Sequence, residues 1–175
     1  MRALGFSLLD LLITVTIVSI LLAVAVPSFS DHLHSSRLKT ATNSLFEAIE
    51  FTRTKAVFSN KRTTLRKKSD WSNGWEIFID ADNNGELSKD EVVLLEQQPL
   101  ADIRIKANTP IKNFVSYVGT GESRNANGNS GGAFQAGTFT LCPKTRGSGY
   151  KLVIARGGRA RMATLSMEEC DELYY

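Results

Sequence analysis

Twelve consecutive residues, Asp80-Ala81-Asp82-Asn83-Asn84-Gly85-Glu86-Leu87-Ser88-Lys89-Asp90-Glu91, carry side-chain oxygens at positions one, three, five, nine and twelve, with glycine at six. That is the spacing of a calcium-binding loop, in which hard oxygen ligands converge on one ion and the glycine makes the sharp bend. Asp80, Asp82, Asn84 and Glu91 are therefore candidate calcium ligands. Their setting departs from such a loop, because strand-like apolar residues stand on both sides, Val92-Val93-Leu94-Leu95 following, where helices are required. A polar hairpin whose Asp and Asn side chains bond their own backbone, with Gly85 at positive φ, explains the same string. Calcium and the self-bonded hairpin both stand as readings of it.

A second chemistry is electrostatic. No acid occurs between Glu122 and Glu168, while Arg124, Lys144, Arg146, Lys151, Arg156, Arg159 and Arg161 lie between them. The net charge of the 175-residue chain is only +3, so the distribution says more than the total. Tyr150 to Arg156, then Gly157-Gly158, then Arg159 to Leu165 has the form of a hairpin closed by a two-residue turn. That register sets Arg156 across from Arg159, with Arg161 two residues farther along the same face, and like charges so placed repel. A polyanion relieves the repulsion, and neutralisation of phosphates by arginine is independent of base sequence. The competing reading is that exposed strand arginines serve solubility and edge protection. Lys61, Arg62, Arg66, Lys67 and Lys68 form a second cluster, read as a solvated strand end or an inter-subunit contact. Trp71 and Trp75 either stack on bases or fill the core.

No constellation for catalysis competes with these. The sequence holds no serine elbow, no phosphate-cradling glycine loop and no histidine near a cysteine. His32 and His34, two residues apart on a helix, point to different sides and do not share a metal. The expectation is a protein that is not an enzyme and needs no cofactor unless calcium binds.

The elements that position these groups follow from periodicity. Phe6 to Val26 is an apolar block with one acid, Asp10, and no base. At about 1.5 Å per residue it is roughly 30 Å long, the thickness of a bilayer hydrocarbon core. Its hydroxyls must then close onto their own helix. A carboxylate at that depth is expensive unless neutralised, so Asp10 either finds a cation or lies unpartnered near the membrane surface. Pro27 should kink or locally open the helix. From Phe29 to about Ser59 the apolar residues Leu33, Leu38, Ala41, Leu45, Ala48, Ile49, Ala56 and Val57 recur at three and four, an amphipathic helix in need of a sheet to cover. After Asn60, eight short runs read as strands, namely 63–67, 75–79, 92–97, 103–107, 114–118, 138–142, 150–155 and 159–165. An antiparallel sheet domain accounts for them. Residues 121–137, rich in Gly, Asn and Ser, are expected to be a mobile loop.

Gly5-Phe6, with an acid four residues and a proline twenty-one residues after Phe6, resembles the class III signal of type IV pilins. The resemblance implies that prepilin peptidase cuts between Gly5 and Phe6, and that Asp10 neutralises the new Phe6 ammonium of a neighbouring subunit during assembly. The family usually has Glu where this chain has Asp10; the shorter side chain keeps the charge and alters the docking geometry. Thr64-Leu65-Arg66, Trp71, Gly74-Trp75, Phe78 and Asp80 are similar to the FimT and GspH-like minor pilins, over most of the chain. Gly158-Arg159-Ala160-Arg161 matches the G-R-x-R pattern near the C terminus of FimT-like pilins, where the resemblance implies DNA binding in natural transformation. The fold implied is α+β and type IV pilin-like, a long N-terminal helix packed on a C-terminal antiparallel sheet. Residues 1–5 would be the leader, 6–27 the membrane and assembly half of the helix, 28–59 its amphipathic half, and 60–175 the head. The partners implied are DNA, other pilins of the filament, the prepilin peptidase and, before assembly, the inner membrane with the head in the periplasm; the assembled pilus is extracellular. A purely structural minor pilin, a type II secretion pseudopilin, and a calcium-stabilised adhesin at the pilus tip are the alternatives.

Cys142 and Cys170 lie in the part expected outside the inner membrane, where disulfides persist. Joined, they close a loop of about 29 residues around the basic hairpin, worth roughly 3–4 kcal/mol in loop-closure entropy. Two cysteines so far apart do not make a zinc site.

Overall fold

The computed structural model describes residues 8–128 and 131–174. The expected cleavage point, Gly5 and Phe6, lies outside the described residues. The chain runs from helix α1 (Leu8–Ser59) through β1 (Thr63–Lys67), a single 3-10 turn (Trp71–Asn73), β2 (Trp75–Ile79), β3 (Val93–Glu96), β4 (Ile103–Ala107), β5 (Phe114–Tyr117), β6 (Gly137–Pro143), β7 (Gly149–Ile154) and β8 (Ala160–Leu165) to helix α2 (Met167–Tyr174). It forms two compact units divided between Arg37 and Leu38.

In the first unit the apolar side chains of α1 are exposed, Leu8 at 81% and Leu21 at 63%. The Thr14, Thr16 and Ser19 hydroxyls donate to the carbonyls of Leu11, Leu12 and Val15 at 2.8, 2.7 and 2.7 Å, closing onto the helix as a stretch without water demands. Among the described residues no helix is long and apolar enough to cross a membrane. The apolar run whose side chains are described is 8–23, about 24 Å at 1.5 Å per residue. The expected span over 6–27 draws on Phe6 and on side chains 24–31, which lie outside the described residues. The backbone of α1 continues helical through Pro27, so the one N–H that proline lacks does not end the helix.

In the second unit α1 buries Leu38, Ala41, Leu45, Ala48, Ile49 and Ala56, spacings that keep one stripe of a 3.6-residue helix inward. Thr42 and Thr52 share the stripe because their hydroxyls donate to the carbonyls of Leu38 and Ala48. Leu33 and Val57, expected on that face, are 40% and 48% exposed.

The strands form two four-stranded antiparallel sheets, in orders β3-β2-β1-β5 and β4-β6-β7-β8. The break falls after β3: β4 pairs with β6, Ile105 opposite Leu141, instead of returning to β3. The 3-10 turn joins the sheets, since the Ser72 hydroxyl accepts the Ile105 N–H at 2.9 Å. Beside it Trp71 meets Phe139 edge-on at 4.8 Å between centroids. Trp71, Trp75, Leu65, Ile77, Val115, Tyr117, Phe139, Leu141 and Leu152 complete the core under α1. The tryptophans are therefore core residues and present no face to a base.

Residues 121–128 and 131–137 are tied into this core. Gln135, fully buried, accepts the Ser116 N–H and donates to the Pro110 and Phe114 carbonyls, while bridges pair Tyr117 with Ser123 and Arg124 with Phe134. The low-complexity composition expected of a free loop hides this one glutamine.

Candidate nucleic-acid interface

The basic hairpin forms, one residue out of the expected register. Ile154 pairs with Ala160 and Val153 with Arg161; beyond them the Ala155 N–H donates to the Arg159 carbonyl at 3.0 Å and the Gly158 N–H to the Ala155 carbonyl at 2.8 Å. The turn is thus Arg156-Gly157-Gly158, three residues with the last at φ +80°, the common form in which a left-handed residue ends a type I turn. Arg159 lies across from Ala155, not Arg156, and Arg161 across from Val153. The expected repulsion of directly opposed arginines is absent. Arg159, just before the edge strand β8, and Arg161 within it instead lie two residues apart on one face, with Arg156 in the turn.

Tertiary contact selects this turn. The Tyr117 hydroxyl, buried, donates to the Gly158 carbonyl at 2.9 Å. A Cβ at Gly158 would stand 2.4 Å from the Gly121 carbonyl oxygen and 2.8 Å from Tyr117 Cε1. That same Gly121 oxygen accepts Arg53 Nε at 2.9 Å. Burial first, and then Glu50, push the Tyr117 hydroxyl well above its ordinary pKa, with Arg53 opposing, so it remains a donor at any physiological pH. Gly158 is itself buried; of the G-R-x-R string it positions and the arginines reach out.

The side chains of Arg156, Arg159 and Arg161 are exposed, with no hydrogen bond or ion pair among the described residues. The other basic candidates are placed elsewhere. Lys144 and Arg146 occupy the β6–β7 turn, the opposite end of β7, about 20 Å away at 3.3 Å per strand residue. Arg146 Nε bonds Asp171 at 2.8 Å, and Lys151 Nζ lies 3.8 Å from Glu169. Arg124 pairs with Glu122 at 2.9 Å and lies 4.2 Å over the Phe134 ring. One continuous patch, expected from an acid-free interval, is thus divided, and two of its cations, Arg146 and Lys151, are met by acids of α2.

That helix is the element sequence reasoning missed. Its signal is the string Ser166-Met167-Glu168-Glu169: the Ser166 hydroxyl accepts the Glu169 N–H at 3.2 Å and the Glu169 carboxylate accepts the Ser166 N–H at 2.8 Å, a capping box. The Ser166 bonds hold Glu169 below its ordinary pKa. The expected disulfide is present, Cys142 to Cys170 with Cα atoms 5.9 Å apart, and fastens α2 to β6.

Three of the five cations of the second basic cluster are engaged internally, while Lys61 is exposed. Arg62 is buried and bonds Asn83, Ser116 and the Arg124 carbonyl; Arg66 pairs with Glu86 at 3.5 Å and Lys68 with Glu96.

The acidic loop is the β2–β3 hairpin connection. Carboxylate oxygens of Asp80, Asp82 and Glu91 lie within 4.8 Å of one another, a donor set of the hard kind a divalent cation takes. Each is already engaged from within. Asp80 accepts the Thr64 hydroxyl at 2.8 Å and the Asn84 and Gly85 N–H groups at 3.0 Å. Glu91 accepts the Ala81 and Ser88 N–H groups, Asp82 the Asn84 amide and the Ser88 hydroxyl, and Asn84 the Glu86 N–H. Gly85 sits at φ +77°. This is the self-bonded polar hairpin. Burial raises the Asp80 pKa, the Thr64, Gly85 and Asn84 bonds oppose the rise, and the Glu91 charge adds to it.

Helix residues 38–59 packed over two antiparallel sheets define a pilin-like scaffold. A family model described as type II transport protein GspH matches residues 41–158, and the chain belongs to that family, the GspH and FimT-like minor pilins and pseudopilins of the type IV pilin superfamily. The crystal structure of the type IV minor pilin FimU from Pseudomonas aeruginosa is similar with TM-score 0.55 and 17% identity, over 74% of this chain and 90% of that one. The minor pseudopilin EpsH from the type 2 secretion system of Vibrio cholerae is similar with TM-score 0.52 and 11% identity, over 73% of this chain and 96% of that one. At such identities the likeness is one of fold. No curated protein sequence matches the chain.

Proposed function

We propose that this chain is a minor pilin that binds DNA without sequence preference through Arg156, Arg159 and Arg161 at the β7–β8 turn, for DNA uptake in natural transformation. The observation that carries the reading is three exposed guanidinium groups, unpaired among the described residues, on and beside a turn whose last residue, Gly158, accepts the buried Tyr117 hydroxyl. Exposed strand arginines kept for solubility need no buried tyrosine fixing their register. In the same reading the apolar N-terminal run anchors the subunit in the inner membrane, prepilin peptidase cuts between Gly5 and Phe6, and Asp10 meets a neighbouring Phe6 ammonium as the helix joins other pilins with Pro27 in the shared core.

The test is a titration of the full-length chain in mild detergent with duplex DNA of scrambled sequences at two salt concentrations. Binding is expected to be equal across sequences and to weaken with salt by a log–log slope of about −0.9 per neutralised phosphate. Arg159→Gln with Arg161→Gln should remove most of the affinity; unchanged affinity would remove the site.

A second reading is a pseudopilin of type II secretion with a structural role alone. It is favoured by the similar fit of the fold to EpsH and FimU and by the pairing of Arg146 and Lys151 with α2. It predicts assembly defects on deletion and no DNA affinity.

A further inference from the structure

The basic turn adjoins the end of α1 through one residue. The Gly121 oxygen that crowds Gly158 also accepts Arg53 Nε, and a Cβ at Gly121 would meet Val57 Cγ2 at 3.2 Å and Arg53 Nη2 at 3.7 Å. Arg53 and Val57 lie one helical turn apart, on the same face. The next residue, Phe58, is 86% exposed, the highest value for any large apolar side chain among the described residues. Phe58, Val57 and Arg53, with Glu50 and Thr54, line a cleft of about 170 Å³. The terminal nitrogens of Arg53 have no hydrogen-bond partner among the described residues.

A lone exposed ring is ordinary on a protein surface. A ring beside a track of unpaired guanidinium groups is different, because that is the pairing by which proteins hold single strands: cations follow the phosphates and an aromatic face takes a base. We propose that the DNA path runs from the β7–β8 turn across Gly121 to the end of α1, where Arg53 meets a phosphate and Phe58 stacks on an unpaired base, so that single-stranded DNA is preferred over duplex. The proposal rests on the DNA-binding reading of the hairpin. Charge complementarity places the ligand: Arg53, Arg156 and Arg159 attract phosphates along the rim, while Glu50 inside the cleft repels them and leaves it to the uncharged base. Duplex DNA has its bases stacked on one another and offers Phe58 no face. A neighbouring pilin packing its apolar surface here would have to desolvate both Glu50 and Arg53.

The experiment compares three labelled probes by fluorescence anisotropy on the full-length chain in detergent: a short oligothymidylate, an abasic oligomer of equal length and charge, and a duplex. Phe58→Ala is expected to weaken oligothymidylate binding by about tenfold and to leave the abasic oligomer unchanged. Arg53→Gln should weaken both single-stranded probes. Phe58→Leu, which keeps the apolar surface, should behave as Phe58→Ala. Equal loss on the thymidylate and abasic probes, or none on either, overturns the stacking role. Full DNA affinity together with lost self-association in Phe58→Ala would assign the ring to a protein contact and overturn it as well. A chain that binds none of the three probes fails at the DNA reading itself, which is a different result from a chain whose binding depends on Arg159 and Arg161 but not on Phe58.

Discussion

The hydroxyl of Tyr117, at the end of β5 in one sheet, donates to the carbonyl of Gly158, in the last turn of the other, at 2.9 Å with both residues buried. This single bond couples the two sheets at the point where the arginines emerge. Tyr117→Phe should therefore cost about 1 kcal/mol of stability by leaving a buried carbonyl unpaired, read by denaturant titration, and should lower DNA affinity without changing its salt slope. Gly158→Ala should cost more, since its φ of +80° and the 2.4 Å approach to Gly121 both oppose a side chain.

The acids of α2 should compete with DNA for cations of the second sheet. Glu169→Gln with Asp171→Asn releases Lys151 and Arg146, and glutamine preserves the capping box. Both ion pairs are exposed, so stability should change by less than about 1 kcal/mol. DNA affinity should rise, with a salt slope steeper by up to about 0.9 for each phosphate newly met. An unchanged slope would place both cations off the DNA path.

The disulfide should matter to stability through its loop. Cys142→Ser with Cys170→Ser removes a bridge of sequence separation 28 and should cost roughly 3–4 kcal/mol by the entropy of loop closure. The expected signature in a melt is a lower Tm, and limited proteolysis should then cut first in α2.

Asp80 should carry a pH signature. Burial raises its folded pKa, so the folded state binds this proton at a pH where the unfolded chain has released it. Stability from this group is then fully present below the unfolded carboxylate value, near 3.9, and is lost as pH rises through the folded value. Asp80→Asn cannot titrate and turns an amide toward donors, costing about 1–3 kcal/mol at neutral pH. The stability gap between wild type and Asp80→Asn should widen as pH falls toward 4; a constant gap would contradict the raised value.

Calcium competes with the loop's own hydrogen bonds. The oxygens of Asp80, Asp82 and Glu91 already accept from Thr64, Ala81, Asn84, Gly85 and Ser88, so an ion must displace donors rather than fill bare sites. Melts with a chelator and at millimolar calcium should coincide. A higher Tm with calcium would show that the loop rearranges around the ion, by an amount set by concentration over Kd.

Periodicity made most of the fold legible. Each of the eight strands lies within two residues of its expected bounds, because half-buried strands alternate and turn residues mark their ends. The buried stripe of α1 from Leu38 to Ala56 was readable for the same reason. What periodicity does not carry is which strands meet: Ile103 and Ile105 alternate identically whether β4 pairs with β3 or β6. Gly157-Gly158 reads locally as a two-residue turn, and only Tyr117, forty-one residues earlier, adds Arg156 to it.

The sequence by itself determined the apolar run from Leu8, the helix and strand content, the pair of cysteines, and the presence of G-R-x-R beyond a glycine. These are properties of neighbours along the chain, where side-chain spacing and backbone sterics act. Tertiary structure decided which cations are free. α2, held by its cap and by Cys142–Cys170, brings Glu169 and Asp171 against Lys151 and Arg146, while nothing among the described residues reaches Arg156, Arg159 or Arg161. Coulomb attraction depends on distance in space, and only folding sets that distance for charges far apart in sequence.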